Sequence, residues 1–403
     1  MNSKPIAEFM TRVLTGAGMA AVLIGAAAAG AVADTPASAK ELAAHYKIPA
    51  ELMARWEAEH RVPAAWIAAA RKEGEVVIKG STRPLDFERS IAPFRTRYPY
   101  IKVNYSRGSR NTRVVAPLVA FREGRHITDI VTGIDTAIDM FKKADALTDL
   151  TDLPNRDNIP DKFAGRSTHW AGIRLRYYCL AYNTNQVKKS QLPKTWDDLK
   201  NSTVLHNNKM ALWYGVASWL LPLWGEKGPQ WTTRFITDIY ETVKAERRKE
   251  GMTALTSLTA AGEFNAVLAV AAYQVVRLQK KGAPVAFHCP DAVMVTSSSV
   301  GILKGNPHTN AAKLYLNWLL SMEGQLFQYR HTGAPPIHKA LQRKEFVPFP
   351  EETLGKTLAF RDPKLLGEEL TALFKVWKPY WESGEGPKGE GRKRKGRGKR
   401  KSR

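Results

Sequence analysis

Three short apolar segments, "EVVIKGS" from Glu75, "IKVNYSRGS" from Ile101 and "ITDIVTG" from Ile127, recur about 25 residues apart. The charged, helix-forming stretches "RPLDFERSIAPFRTRYP" and "RNTRVVAPLVAFREGR" separate them. A strand that is followed by a helix and then another strand, repeatedly, is the signature of parallel βαβ units, so the pattern predicts a doubly wound α/β domain. In such sheets ligands sit outside the carboxyl ends of the strands. Those ends are small and polar here: Ser81 and Thr82 beside Gly80, then Ser106, Gly108 and Ser109, then Thr132 and Gly133. Turns favour Gly and Ser in any protein, and the signal is their recurrence at three successive strand ends. Gly108 to Asn111, with Arg110 between, also opens a helix, whose free N–H groups and dipole favour an anion.

Length points to more than one such unit. The chain has 403 residues, and about 350 remain once two unusual ends are set aside, which is more than a single core serves. With 44% hydrophobic and 9% aromatic residues it can fill two cores. Residues 1–33 carry Lys4 and Arg12, then an uncharged Ala- and Gly-rich run, then Ala31-Val32-Ala33, the small-x-small pattern of a cleavable signal peptide. A membrane anchor is the alternative, although the run is poor in the large apolar residues an anchor uses. Cleavage places the mature protein in the periplasm or outside the cell. At the other end, residues 386–403 include "GRKRKGRGKRKSR", with nine basic residues and no acidic or apolar one. This run is expected to be disordered. It accounts for part of the formal charge of +23 and suits an anionic membrane or cell-wall polymer, or simply solvent, rather than nucleic acid in that compartment.

Residues 34–72 read as helices broken at Pro49 and Pro63. "MALWYGVASWLLPLWGEKG" reads as a strand running into a Trp-rich helix, and "AAGEFNAVLAVAAYQVVRLQKKGAPV" as a pair of helices. Ser297 to Gln325 reads as a strand, a turn at Asn306-Pro307, and an amphipathic helix capped by Thr309 or Asn310 and ended by Gly324. No G-x-S-x-G, H-E-x-x-H or G-x-x-x-x-G-K-[ST] occurs. The nine histidines show no metal-ligand spacing beyond His331 and His338 in a loop. An enzyme is therefore not expected; a secreted hydrolase with a triad assembled in space, and a surface adhesin driven by the tail, are the other classes.

"AYNTNQV" followed by "LPKTWDDL" resembles the segment by which periplasmic solute-binding proteins of ABC importers pass from one lobe to the other. "ARKEGEVVI", "EGRHITDIVTG" and "GAPVAFHCPDAVMVTSSSVGILKGNPHTNAAKLYLNWLLSMEGQ" resemble further pieces of the type 2, iron- and small-anion-associated branch, in order, over Glu73 to Gln325. The resemblance implies two doubly wound α/β lobes joined by hinge strands: lobe one from 73–179 and 288–385, lobe two from 180–287. It implies a monomer that closes on a solute and hands it to a membrane permease and its ATPase, with no cofactor. It adds Tyr214, Ser218, Gly262, Glu263 and Tyr273 as lobe-two candidates. Ferric-binding members use an adjacent tyrosine pair, whereas the matching helix here has one tyrosine, Tyr273, and Tyr177-Tyr178 fall in a strand whose alternation points them apart. No metal is therefore assigned, with ferric iron kept as the alternative. Arg83, Arg107, Arg110 and Arg113 near the strand ends suit carboxylate or phosphate, so the expected solute is an organic or phosphorylated anion. Cys179 and Cys289 would lie in the hinge strands, within reach of a disulfide; two free buried thiols are the alternative.

Overall fold

In a computed structural model the described residues are 36–164, 168–343, 346–347 and 349–383. The signal segment and the basic tail expected from the sequence lie outside them. Ten strands form one sheet: β1 (Glu75–Gly80), β2 (Lys102–Arg107), β3 (Ile130–Thr132), β4 (Ala171–Asn183), β5 (Met210–Trp213), β6 (Glu246–Arg248), β7 (Ala266–Ala271), β8 (Val285–His288), β9 (Val293–Ile302) and β10 (Leu358–Phe360). The main order is β2-β1-β3-β9-β4-β7-β5-β6. The three spaced segments form the parallel set β2-β1-β3, and β5, β6 and β7 form a second parallel set. Between the sets, β9 runs antiparallel to β3 and β4, and β4 antiparallel to β7. The architecture is two α/β lobes hung on a shared central strand.

That strand, β4, pairs with β9 over Ala171–Tyr178 and with β8 over Leu180–Asn183. Cys289 lies in the gap between β8 and β9, facing Cys179, and the two form a disulfide with Cα atoms 4.5 Å apart. Glu352, itself buried, accepts a hydrogen bond from the Cys289 N–H at 3.0 Å and pairs with Lys189 at 2.5 Å. Burial raises the cost of its charge, but the hydrogen bonds from His288, Cys289 and Lys189 outweigh this and lower its pKa to about 2.

Two local readings of the sequence need correction. "AVLAVA" is not helical: it is β7, buried along its whole length between β4 and β5, and such a strand shows no polar alternation to announce it. Gly324 does not end the late helix. The helix Thr309–Leu319 stops earlier, and Ser321 caps a second helix, Met322–Thr332, by accepting the Gly324 N–H at 3.2 Å. A Cβ on Gly324 would stand 2.2 Å from the Trp318 carbonyl oxygen, so glycine is what lets the second helix fold onto the first. The expected cap residues are also replaced. Glu73, the last residue of the helix Ala64–Glu73 that leads into β1, receives the Asn310 and Ala311 N–H groups at 3.1 and 2.7 Å, an acidic group at the positive end of the dipole.

The N-terminal helices Ala37–His45 and Ala50–Trp56 bury Ala39, Leu42, Leu52 and Trp56 against Met322, Leu326 and Phe327. The last helix, Glu368–Ser383, crosses to the second lobe and packs on Val216–Thr237, where Trp224 Nε1 donates to Glu369 at 2.6 Å.

Candidate anion-binding cleft

Along β4 the side chains alternate, so Arg174, Arg176 and Tyr178 share a face that Leu175 and Tyr177 do not. Arg174 Nη1 donates to Thr82 Oγ1 at 3.1 Å. Arg176 donates to Asp135 Oδ2 at 2.9 Å and to Ser298 Oγ at 3.1 Å. Arg113, in the helical stretch Asn111–Val115 after β2, donates to the carbonyls of Thr132 and Gly133. Arg361, just after β10, reaches the carbonyls of Ser297 at 3.3 Å and Ala217 at 3.5 Å. Arg174 is 5% exposed, Arg361 7% and Asp135 7%. Arg176 thus pairs with Asp135, and Arg113, Arg174 and Arg361 lie within electrostatic reach of the same carboxylate.

The electrostatics record the crowding. Burial lowers the pKa of Arg174, with Arg176 adding to it, and burial likewise lowers Arg113 and Arg361. Burial works against the Asp135 carboxylate too, yet Arg176 and Arg361, helped by the Ser299 N–H at 2.6 Å, hold it below its ordinary value. Tyr273 is treated the same way: burial disfavours its phenolate, and Arg176 and Arg174 more than reverse this. Arg113 Nε, Arg174 Nε, Thr296 Oγ1 and Trp213 Nε1 are buried polar atoms without a hydrogen-bond partner. Thr296 stands opposite Arg176 on β9, and Trp213 stacks on Tyr178 with ring centres 6.1 Å apart. Buried polar atoms in native proteins are nearly always partnered; unpartnered ones also occur at Glu59, His60 and His338, and what sets this group apart is the surplus of positive charge around it.

Of the residues singled out from sequence, Ser81, Thr82, Thr132, Gly133, Tyr273 and Arg113 come together here. Gly133 has φ +68°, and a Cβ on it would lie 2.8 Å from Arg113 Nη1 and 2.9 Å from Ser81 Oγ. Ser218 follows Ala217, whose carbonyl meets Arg361. Ser106, Ser109, Arg107 and Arg110 lie exposed on the rim with Gly108; Ser109 Oγ turns to Thr112, and Arg110 to Met140 Sδ at 3.5 Å. Arg83 is held by Asp86 at 2.7 Å. Tyr214 is 47% exposed and lines a separate groove of about 420 Å³ with Phe374, Trp377 and Trp381 of the last helix.

Gly262 and Glu263 are placed away from the cluster. Gly262 ends the helix Met252–Ala261 with φ 93° rather than opening one, and Glu263 pairs with Arg248 at 2.7 Å. Both precede β7 while Tyr273 follows it, and six residues of strand span about 20 Å.

The sequence reading missed Arg174, Arg176, Arg361 and Asp135. The string "IRLRYY" held a usable signal, because arginines at alternate positions of an otherwise apolar strand put two cations on one buried face. Tyr177 and Tyr178 do point apart: Tyr177 packs edge-on to Phe349, while Tyr178 faces Trp213. Among the described residues no group of three or more His, Cys, Asp or Glu side chains is placed to hold a metal ion.

The bacterial extracellular solute-binding protein family model matches residues 62–326, more than half of the chain. No curated protein sequence matches it. Solved structures with the same fold include iron-bound HitA from Pseudomonas aeruginosa, with 20% identity and a TM-score of 0.61 over 74% of this chain and 97% of that one. They also include an ABC transporter substrate-binding protein from Bradyrhizobium japonicum, with 16% identity and a TM-score of 0.63 over 76% and 99%. A third is a Trichodesmium protein (IdiA, FutA) in complex with iron and citrate, with 18% identity and a TM-score of 0.60 over 74% and 98%. The fold and the family match agree, and the chain belongs to the bacterial extracellular solute-binding protein family.

Proposed function

We propose that this protein captures an organic or phosphorylated anion between its two lobes and delivers it to the permease and ATPase of an ABC importer. The observation that carries the reading is the set of four guanidinium groups around Asp135 with two Nε–H donors unpartnered. Arginine cannot shed its proton, so burying this set without a counter-ion is costly. An anion arriving between the lobes supplies the missing charge and acceptors, and closure about β4 keeps water out. In this reading the protein acts as a periplasmic monomer. Binding without turnover is what separates this role from a secreted hydrolase.

The test is a thermal-shift series on mature protein that has been unfolded and refolded to remove carried solute. A true ligand at a hundred times its Kd adds about 2.7 kcal/mol to stability. Stabilisation by carboxylates or phosphate esters supports the reading. A second reading, a ferric chelate, is favoured by the fold's likeness to iron-bound HitA and to the protein solved with iron and citrate. Stabilisation by ferric citrate, with none by the iron-free anions, would select it.

A further inference from the structure

We infer that the solute carries at least two negative charges on a compact head, a phosphoryl or dicarboxylate group, and that singly charged acids are poor ligands. This deepens the anion-binding reading and rests on it. The argument is a charge count. Asp135 is the carboxylate that acts on Arg113, Arg174, Arg176 and Arg361 alike. It is already committed to Arg176 and to the Ser299 N–H. Three positive charges remain uncompensated beside side chains of which Arg174, Arg361 and Asp135 are less than a tenth exposed and Arg176 13%. A monoanion would leave two of them bare, whereas a dianion or trianion leaves one or none.

The donors converge rather than spread. Arg174 reaches Thr82 from β4, and Arg113 reaches Gly133, whose backbone nearly touches Ser81 Oγ. Hydroxyls at Ser81, Thr82, Thr296 and Ser298 stand around the guanidinium groups, and the half-buried Tyr273 of the second lobe lies within electrostatic reach of Arg174 and Arg176. A small head with several oxygens uses this arrangement, and a single extended carboxylate uses half of it.

The experiment is calorimetric titration of the refolded mature protein with pairs matched in size and different in charge: glycerol 3-phosphate against glycerate, succinate against butyrate, and inorganic phosphate and sulfate as bare heads. The doubly charged member of at least one pair is expected to bind about tenfold or more tightly than its partner. Raising the pH from 5.5 to 7.5 crosses the second ionisation of a phosphate ester near 6. A phosphoryl ligand then gains affinity across that interval, a dicarboxylate gains less because much of its second ionisation lies lower, and sulfate, doubly charged throughout, does not gain, so the size of the gain separates the sources. Arg174→Gln should remove most of the preference for the dianion while retaining a cooperative thermal transition. Equal binding within every pair overturns the charge count and leaves the anion reading standing. Binding by ferric citrate or a cation alone sinks the anion reading as well. Silence from the whole panel also counts against the inference, because the panel samples compact dianions of both kinds.

Discussion

Two buried charge clusters in this molecule look alike and behave differently. In the cleft, four arginines surround Asp135. Beneath the N-terminal helices, Arg97 lies between Glu57 and Glu323, with His60 Nε2 3.6 Å from Glu323 and His338 Nε2 3.1 Å from Glu59. In the second cluster carboxylates are the surplus. They are absorbed internally: Glu323 accepts from Arg97 at 2.7 Å, from Trp318 Nε1 at 2.7 Å and from Trp56 Nε1 at 3.2 Å, and Glu59 accepts the Met322 N–H at 2.7 Å. His60 and His338 lie beside these carboxylates. In the cleft the surplus is arginine, which cannot release a proton. In one cluster the charged groups pair mostly with one another, whereas in the other a single carboxylate leaves a positive surplus, which is the physical difference between a fastening and a binding site.

Breaking each cluster at its centre should therefore give opposite results. Glu323→Ala leaves buried Arg97 with Glu57 alone and takes the acceptor from two buried indole N–H groups; it is expected to cost about 3–5 kcal/mol, read as a fall in the urea midpoint, with ligand affinity kept in the protein that remains folded. Arg174→Met removes a cation whose Nε has no partner. The ligand-free protein is expected to gain about 1–4 kcal/mol, as when buried charges give way to apolar packing, while anion binding is lost. A destabilised Arg174→Met protein would make the cleft a fastening too and erase the contrast.

The next effect is smaller and depends on pH. Burial lowers the pKa of His60, against the pull of Glu323, with Arg97 acting in the same direction as burial. The folded state then binds fewer protons than the unfolded one below the ordinary imidazole value of 6.5. Stability from this group is complete above that value and is lost as the pH falls through the lower folded pKa. Urea midpoints at pH 7.5 and 5.5 should show the loss, and His60→Gln should flatten it. An equal slope in the variant would show that His60 is not the titrating group.

Much of this arrangement was legible in the sequence. The spacing of β1, β2 and β3 specified a parallel sheet, and the polar residues at their ends led to Ser81, Thr82, Thr132 and Gly133. What was hidden shares one cause. β7 is buried on both faces, so its apolar run carries no alternation and "AVLAVA" reads as readily for a helix. The same burial concealed the site, since Arg174 and Arg176 look like ordinary polar breaks until the strand is known to be central. Arg361 lies 185 residues beyond Arg176 in sequence, and only the pairing of β10 with β9 brings it back.

The smallest effect concerns the candidates that the structure moves away. Glu263 is 43% exposed in its side chain, pairs with Arg248, and shares that arginine with Glu246 and Glu250. An exposed pair of this kind contributes about 0–1 kcal/mol, and here two other carboxylates remain to hold Arg248. Glu263→Ala should therefore change the unfolding midpoint little and the affinity for the anion not at all. A large loss of affinity in this variant would mean that the solute reaches the opening end of β7 instead of its closing end. The cleft built on Arg174, Arg176 and Tyr273 would then be the fastening, and the charge surplus there would need another explanation.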